Sequence, residues 1–149
     1  MASRRKGRIL AFQALYCWDV QYGASSSCVP EDLLEFPWSL ETADDVCKLD
    51  AELQAFAQLL LTGTIENIKR IDKTIQKHLQ NWDIVRLNRV DLAILRMSVY
   101  TLMFQTDIAS SIVIDEAIEL SKEFGTDDSY RFVNGVLDAI RKSLAGKES

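Results

Sequence analysis

The feature that most constrains the fold is the run from Val90 to Phe104, which is apolar on nearly every side of a helix. Only Asp91, Arg96, Ser98 and Thr101 interrupt the apolar residues. A helix on a protein surface shows a single apolar stripe, so a helix that is apolar nearly all round is enclosed by others. The run is shorter than the roughly 20 apolar residues that a membrane span needs. It is therefore predicted to be the buried central helix of a small helical protein.

The polar residues of this helix fall on two sides. At about 100° per residue, Asp91, Ser98 and Thr101 share one narrow edge, which we expect to face solvent. Arg96 projects from the opposite side, among apolar neighbours. A buried guanidinium needs a carboxylate, because an unpaired buried charge costs several kcal/mol. Glu116 is the partner that we expect for it.

Composition favours an all-α protein. The chain has 149 residues, with 48% hydrophobic and 26% charged residues, and only two prolines and six glycines. No segment alternates apolar and polar residues for long enough to predict a strand. That length fits one domain or two small subdomains. The N-terminus is basic but lacks the apolar core of a secretory signal, so we expect a cytoplasmic protein.

The three cysteines, Cys17, Cys28 and Cys47, are odd in number and widely spaced. With a single histidine, His78, they make no zinc pattern, and free thiols in a reducing compartment are expected. There is no Gly-rich phosphate loop, nucleophile elbow or paired Cys and His at helical spacing. We therefore expect a binding protein without cofactor or metal, and not an enzyme.

In the N-terminal half, helical periodicity predicts a first helix over about 4–21 and a long one over about 49–79. A bend is expected in the long helix at Gly63, where one apolar row gives way to the next. Between them, 30–36 could form a short helix, inside the least predictable part of the chain.

In the C-terminal half, Asn88 is a suitable N-cap for the central helix. The next helical pattern ends at Gly125, as expected of a C′ glycine. Asp128 is a candidate N-cap for the last helix. Gly135 lies inside that helix, where it costs about 1 kcal/mol against alanine. We expect the backbone of the central helix to approach it closely.

Charge is distributed unevenly along the chain. The net charge is −5, from 17 basic and 22 acidic residues, yet Arg4, Arg5, Lys6 and Arg8 put four cations into five positions. A compact basic tip on an acidic protein can contact a phosphate backbone. A solvated terminus is the common alternative, and charge alone does not separate the two.

Four segments resemble the NusB family of bacterial transcription antitermination factors. They are Arg8-x-x-Ala11-x-x-Ala14-Leu15-Tyr16, Val90-Asp91-x-Ala93-Ile94-Leu95-Arg96, residues 114–125 and, most specifically, Asp128-Ser129-Tyr130-Arg131-Phe132-Val133-Asn134-Gly135-Val136-Leu137-Asp138. The chain departs from the usual family pattern at Asp115, Thr101 and Ala109, which bear on the loop and partner face more than on the fold.

The resemblance implies an all-α fold of two small helical subdomains, with three to four helices each, around the buried central helix. We divide the chain into an N-terminal subdomain, 1–80, which carries the basic tip, and a C-terminal subdomain, 81–149. The implied function is binding of boxA-type single-stranded leader RNA together with the ribosomal protein NusE. That complex would join RNA polymerase and the other Nus factors and help the polymerase read through terminators in ribosomal RNA operons.

The resemblance also implies a set of RNA-binding residues: Arg4, Arg5, Lys6, Arg8, Gln13, Tyr16, Asp128, Ser129, Arg131 and Phe132. Asp91 would contact the ribosomal protein. Cations neutralise phosphates without reading sequence, whereas single-stranded bases are read by stacking and by hydrogen bonds to their edges. Tyr16 can share a face of the first helix with Arg8. Phe132 could stack on a base, but its spacing also fits the buried row.

Two other classes of function stay open. The chain could be an RNA-binding module like the one in ribosomal-RNA cytosine methyltransferases, although it has no cofactor-binding βαβ segment of its own. It could also be a helical protein–protein adaptor whose basic N-terminus is incidental.

Overall fold

The computed structural model describes residues 4–22, 33, 51–80 and 82–147. These ranges contain six α-helices, one short 3-10 helix at Ile84–Arg86, and no strand. The α-helices are α1 (Arg4–Tyr22), α2 (Ala51–Glu66), α3 (Ile68–Lys77), α4 (Arg89–Phe104), α5 (Ser110–Phe124) and α6 (Ser129–Lys147). The prediction of an all-α fold is confirmed. The expected short helix at 30–36 lies outside the described residues, apart from Leu33.

The structure divides into two compact units between Glu66 and Asn67. In the first unit α1 packs against α2, and in the second α4 packs against α3, α5 and α6. The sequence analysis instead assigned 1–80 to the N-terminal subdomain. The difference is α3, which belongs with the second unit because it packs against α4 and buries Ile68, Ile71 and Ile75.

The central helix α4 is buried, as predicted, but the expected solvent edge is wrong. Asp91, Ser98 and Thr101 are only 8%, 4% and 5% exposed. Three helices pack around α4, so the polar edge is covered as well as the apolar sides. The Thr101 hydroxyl donates to the carbonyl of Met97, 3.1 Å away, and so satisfies its hydrogen bond within the helix.

Arg96 is buried and paired with a carboxylate, as predicted, and that carboxylate belongs to Asp72 on α3, which was not the expected partner. The guanidinium donates from Nε to Oδ1 and from Nη2 to Oδ2 of Asp72, both at 2.8 Å. The side of α4 that carries Arg96 meets α3, and this packing brings Asp72 within reach.

The break in the long helical pattern lies at Asn67 and not at Gly63, which is buried inside α2. Asn88 caps α4 as predicted, since its side-chain oxygen accepts from the backbone N–H of Val90 at 2.7 Å. The break at Asn67 separates α2 from α3, and the cap at Asn88 marks the start of α4.

Two glycines differ from expectation. Gly125 ends α5, but with φ −93°, so it is not in the left-handed conformation of a typical C′ glycine. A Cβ there would lie 2.6 Å from the Cβ of Ser129 and 2.7 Å from the carbonyl oxygen of Ser121. Glycine is therefore required because there is no room for a side chain. At Gly135 a Cβ would meet nothing within 4 Å. The expected close approach of a backbone to Gly135 is therefore wrong.

Candidate functional site

The first turns of α1 wrap the aromatic ring of Phe56 on α2. The guanidinium carbons of Arg4 and Arg8 lie 4.8 and 5.7 Å from the centre of that ring. A Cβ on Gly7 would come within 2.6 Å of it, so the backbone of α1 sits directly on Phe56. A cation over an aromatic face is attracted by the ring quadrupole. Two of the four cations of the basic tip, Arg4 and Arg8, thus contact Phe56 within the first unit.

A different face of α1 collects the other candidates. At about 100° per residue, Arg5, Lys6, Gln13 and Tyr16 lie within an arc of roughly 100°. Tyr16 is 40% exposed, whereas Arg8 is only 9% exposed. Tyr16 and Arg8 therefore do not share an accessible face, contrary to the expectation from spacing. We call Arg5, Lys6, Gln13 and Tyr16 the α1 face.

In the second unit, four candidate residues lie at the start of α6. Asp128 occupies the N-cap position, because its carbonyl accepts the amide of Phe132 at 3.3 Å. Within the described part of the chain, however, its carboxylate makes no capping hydrogen bond. The hydroxyl of Ser129 accepts the amide of Thr126 at 2.9 Å instead. The expected capping role of the Asp128 side chain is therefore wrong, and the carboxylate is exposed.

Arg131 is exposed and held against Tyr130. Its Nε donates to the Tyr130 hydroxyl at 3.0 Å, and Lys122 on α5 places its Nζ 5.3 Å from the centre of the same ring. The hydrogen bond to Tyr130, with the nearby Asp128 charge, raises the pKa of Arg131. Tyr130 and Lys122 were not among the residues predicted for the site. Tyr130 stands inside the most specific segment, so the signal was present, whereas Lys122 comes close only through the packing of α5 on α6.

Ser129 and Asp91 are placed differently from the exposed candidates. Ser129 is buried, and the side chain of Asp91 on α4 is close enough to interact with it. Burial raises the pKa of Asp91, and the Ser129 side chain, acting as a hydrogen-bond donor, partly offsets that rise. The Oδ1 atom of Asp91 is buried and has no hydrogen-bond partner among the described residues. Phe132 is half-buried, which fits a mixed role.

Comparison with known proteins decides the family. The family model for NusB matches residues 5–142 of the chain. The chain belongs to the NusB family. The resemblance found in the sequence is thereby confirmed, and it extends through the segment between α1 and α2.

Several relatives within the NusB family are close in sequence. A protein of Treponema denticola named "Transcription antitermination protein NusB" is 56% identical over 138 residues, covering 93% of this chain and 95% of the relative. A protein of the same name from Geobacter sulfurreducens is 42% identical over 147 residues, covering 99% of each chain. Relatives of this kind are named for transcription and not for an enzymatic activity.

Solved structures agree with the family assignment. NusB of T. maritima superposes with a TM-score of 0.78 at 34% identity, covering 95% of this chain and 92% of that one. A crystal structure of the antitermination factors NusB and NusE in complex with dsRNA gives a TM-score of 0.76 at 30% identity, covering 94% and 96%.

The described residues show no group of side chains suited to a metal ion, and none of the described helices is long and apolar enough to span a bilayer. Cys17 carries a free thiol, and burial raises its pKa. Cys28 and Cys47 lie outside the described residues. The candidate residues form two clusters, the α1 face in the first unit and the start of α6 in the second.

Proposed function

We propose that this chain is an RNA-binding transcription antitermination factor of the cytoplasm. It binds boxA-type single-stranded leader RNA together with the ribosomal protein NusE. The complex joins RNA polymerase and the other Nus factors and helps the polymerase read through terminators in ribosomal RNA operons. The names of the relatives and the solved complex of NusB, NusE and dsRNA support this proposal.

The α1 face is the single observation that carries the proposal. Arg5 and Lys6 supply charge for phosphates, which provides affinity without sequence reading. The exposed ring of Tyr16 offers a platform on which an unstacked base can lie, and the Gln13 amide has both a donor and an acceptor for a base edge. Charge, a stacking surface and an edge reader on one helix face are the components that single-stranded RNA recognition needs.

The start of α6 supports the proposal with a second set of groups. Arg131 presents a guanidinium already oriented by the Tyr130 hydroxyl, so little further ordering is needed to meet a phosphate or a base. The exposed carboxylate of Asp128 opposes phosphate binding at the same place. We therefore assign the start of α6 a weaker contribution to RNA binding, in which Arg131 attracts the RNA and Asp128 repels its phosphates.

We assign Asp91 to the contact with NusE. A buried carboxylate oxygen without a hydrogen-bond partner is costly, and a donor from a bound protein would satisfy it. Because Oδ1 itself is buried, this contact requires the side chains that cover it to move when the partner binds. Arg4, Arg8 and Ser129 then support the site from within, since each contacts another part of its own unit.

Fluorescence anisotropy with labelled boxA RNA and a scrambled RNA of the same length, each with and without NusE, tests this proposal. We expect boxA to bind more tightly than the scrambled strand and NusE to tighten boxA further. Tyr16→Ala should weaken binding by about 1–3 kcal/mol, the range for one lost base stack, while Tyr16→Phe keeps the platform and serves as the matched control. Binding of NusE without any effect on RNA would identify the chain as a protein–protein adaptor instead.

A further inference from the structure

Helix α3 carries a second basic surface. Lys69, Arg70, Lys73 and Lys77 put four exposed cations into ten residues, within an arc of roughly 100°. We call these four residues the α3 face. The isoleucines of α3 point the other way, into the second unit. The only acid of the helix, Asp72, is bound to Arg96, and none of the four cations forms an ion pair within the described part of the chain.

A cavity of about 160 Å³ opens beside the α3 face, between α3, α4 and α6. Its rim is cationic, with Arg70 and Lys77. Its inner wall is apolar, with Met103, Ile140 and Leu144, and no carboxylate of the described residues lines it. This combination suits a ligand with an anionic end and an apolar or aromatic body.

Two groups at the cavity, His78 and Arg70, are held by other residues of the unit. The ring of His78, at the C-terminal end of α3, is tied through Nδ1 to the carbonyl of Thr74 at 2.9 Å. The guanidinium of Arg70 lies 5.4 Å from the centre of the Phe104 ring. Fixed groups lose little conformational entropy on binding, so the site is prepared for its ligand.

We propose that this cavity binds a nucleoside phosphate, with the phosphate on Arg70 and Lys77 and the base or sugar against the apolar wall. Cations at a phosphate make charge-assisted hydrogen bonds, which are roughly twice as strong as neutral ones. At about 160 Å³ the cavity takes only part of a nucleotide, since pockets that enclose a whole ligand of this kind measure roughly 300–1,000 Å³, and the rest of the ligand stays outside it. The ligand is a free mononucleotide or one nucleotide of an RNA strand, and only the second source rests on the proposed function.

The single histidine of the chain makes the test direct, because the ring resonances of His78 are unambiguous in a proton NMR spectrum. The full chain is titrated with uridine 5′-monophosphate, with uridine, with inorganic phosphate and with boxA RNA. We expect the monophosphate to shift the His78 resonances in a saturable way, and uridine or phosphate alone to need at least tenfold higher concentration. A shift with RNA alone assigns the site to a strand. No shift with either nucleotide source, or an equal response to inorganic phosphate, overturns the proposal.

Two variants separate the cavity from simple surface charge. Arg70→Gln with Lys77→Gln removes the cationic rim, and Ser143→Trp fills the cavity while leaving every cation in place. Both changes should lower the affinity for the monophosphate at least tenfold. Melting curves check that the fold of each variant is intact. Arg86→Gln removes an exposed cation of the same unit that does not line the cavity, and it should have no effect. If only the loss of the cations weakens binding, the cavity is not the site.

The same titration distinguishes this inference from the proposed function. Arg5→Gln with Lys6→Gln alters the α1 face in the other unit and should leave the monophosphate response of His78 unchanged. If boxA RNA shows no preference over a scrambled strand while the monophosphate still binds, the proposed function fails and the nucleotide site stands. If boxA binds through the α1 face and His78 never responds, the proposed function stands and the nucleotide site fails.

Discussion

Arg96 and Asp72 join α4 to α3 through two parallel hydrogen bonds of 2.8 Å each. The pairing is two-pronged, the geometry in which a guanidinium binds a carboxylate most strongly. The Arg96 side chain is 5% exposed and that of Asp72 is 27% exposed, so the cation is deeply buried while the carboxylate keeps some contact with water. The pair therefore fixes the position of α3, and with it the α3 face.

Breaking this pair should destabilise the second unit. Arg96→Ala and Asp72→Ala should each lower the free energy of unfolding by about 3 kcal/mol, the low end for a buried pair because Asp72 is partly hydrated. Chemical denaturation of both variants and of the double variant forms a mutant cycle. We expect the double variant to lose less than the sum, with a coupling energy of about 1–3 kcal/mol. Additive losses would show that the two side chains do not stabilise each other.

Two glycine substitutions should act in opposite directions. Gly135→Ala should raise the free energy of unfolding by about 0.5–1 kcal/mol, because the site is an open helical position and alanine is the better helix former. Gly125→Ala should lower it by about 1–3 kcal/mol, because the new Cβ overlaps Ser129 and the carbonyl of Ser121. Thermal denaturation measures both. A stable Gly125→Ala protein would contradict the packing described at the end of α5.

Asp128→Asn should tighten RNA binding severalfold with little change in melting temperature. The carboxylate is exposed and makes no capping hydrogen bond within the described residues, so the fold does not depend on its charge. Removing that charge relieves repulsion of the RNA phosphates beside Arg131. Affinity for boxA RNA and a melting curve on the same sample measure the two effects. Weaker binding would instead identify the carboxylate as an acceptor for a base edge.

Asp91→Asn should change the pH dependence of stability. Burial raises the pKa of Asp91 in the folded protein, so folding favours the protonated form. The stability that Asp91 contributes is therefore present below its ordinary pKa of 3.8 and is lost as the pH rises through the raised folded value. The asparagine variant should gain melting temperature over wild type at pH 7 and lose that advantage near pH 3. A constant difference between the two proteins across this range would contradict the assignment.

Local patterns were enough to predict the helical segments and the buried central helix, although α2 and α3 were predicted as one long helix. The apolar run of α4 required an enclosed helix, and the Asn88 cap was visible before the structure. The solvent edge of α4 was not predictable, because the position of three packing helices decides it and no residue of α4 encodes that position. For the same reason Arg96 could be predicted to need a carboxylate, but its pairing with Asp72 depends on how α3 lies against α4.

The candidate site was predictable in composition but not in arrangement. The cations of α1 are evident in the sequence, yet their division depends on Phe56, nearly fifty residues away in the chain. Its ring contacts Arg4 and Arg8, whereas Arg5 and Lys6 lie on the α1 face. The α3 face was not predicted from the sequence because its four cations are spread over nine residues and form a single surface only on a helix.

The salt dependence of RNA binding tests the central claim most directly. Equilibrium affinity for single-stranded boxA RNA is measured across a range of salt concentrations for wild type and for Arg5→Gln with Lys6→Gln. Each lost phosphate contact removes about 0.7 from the log–log slope on a single strand, so the double variant should lower the slope by about 1.4. Arg86→Gln, which removes an exposed cation that is not part of the α1 face, should leave the slope unchanged. An unchanged slope in the double variant, with the fold intact, would contradict the assignment of the α1 face as the RNA-binding surface.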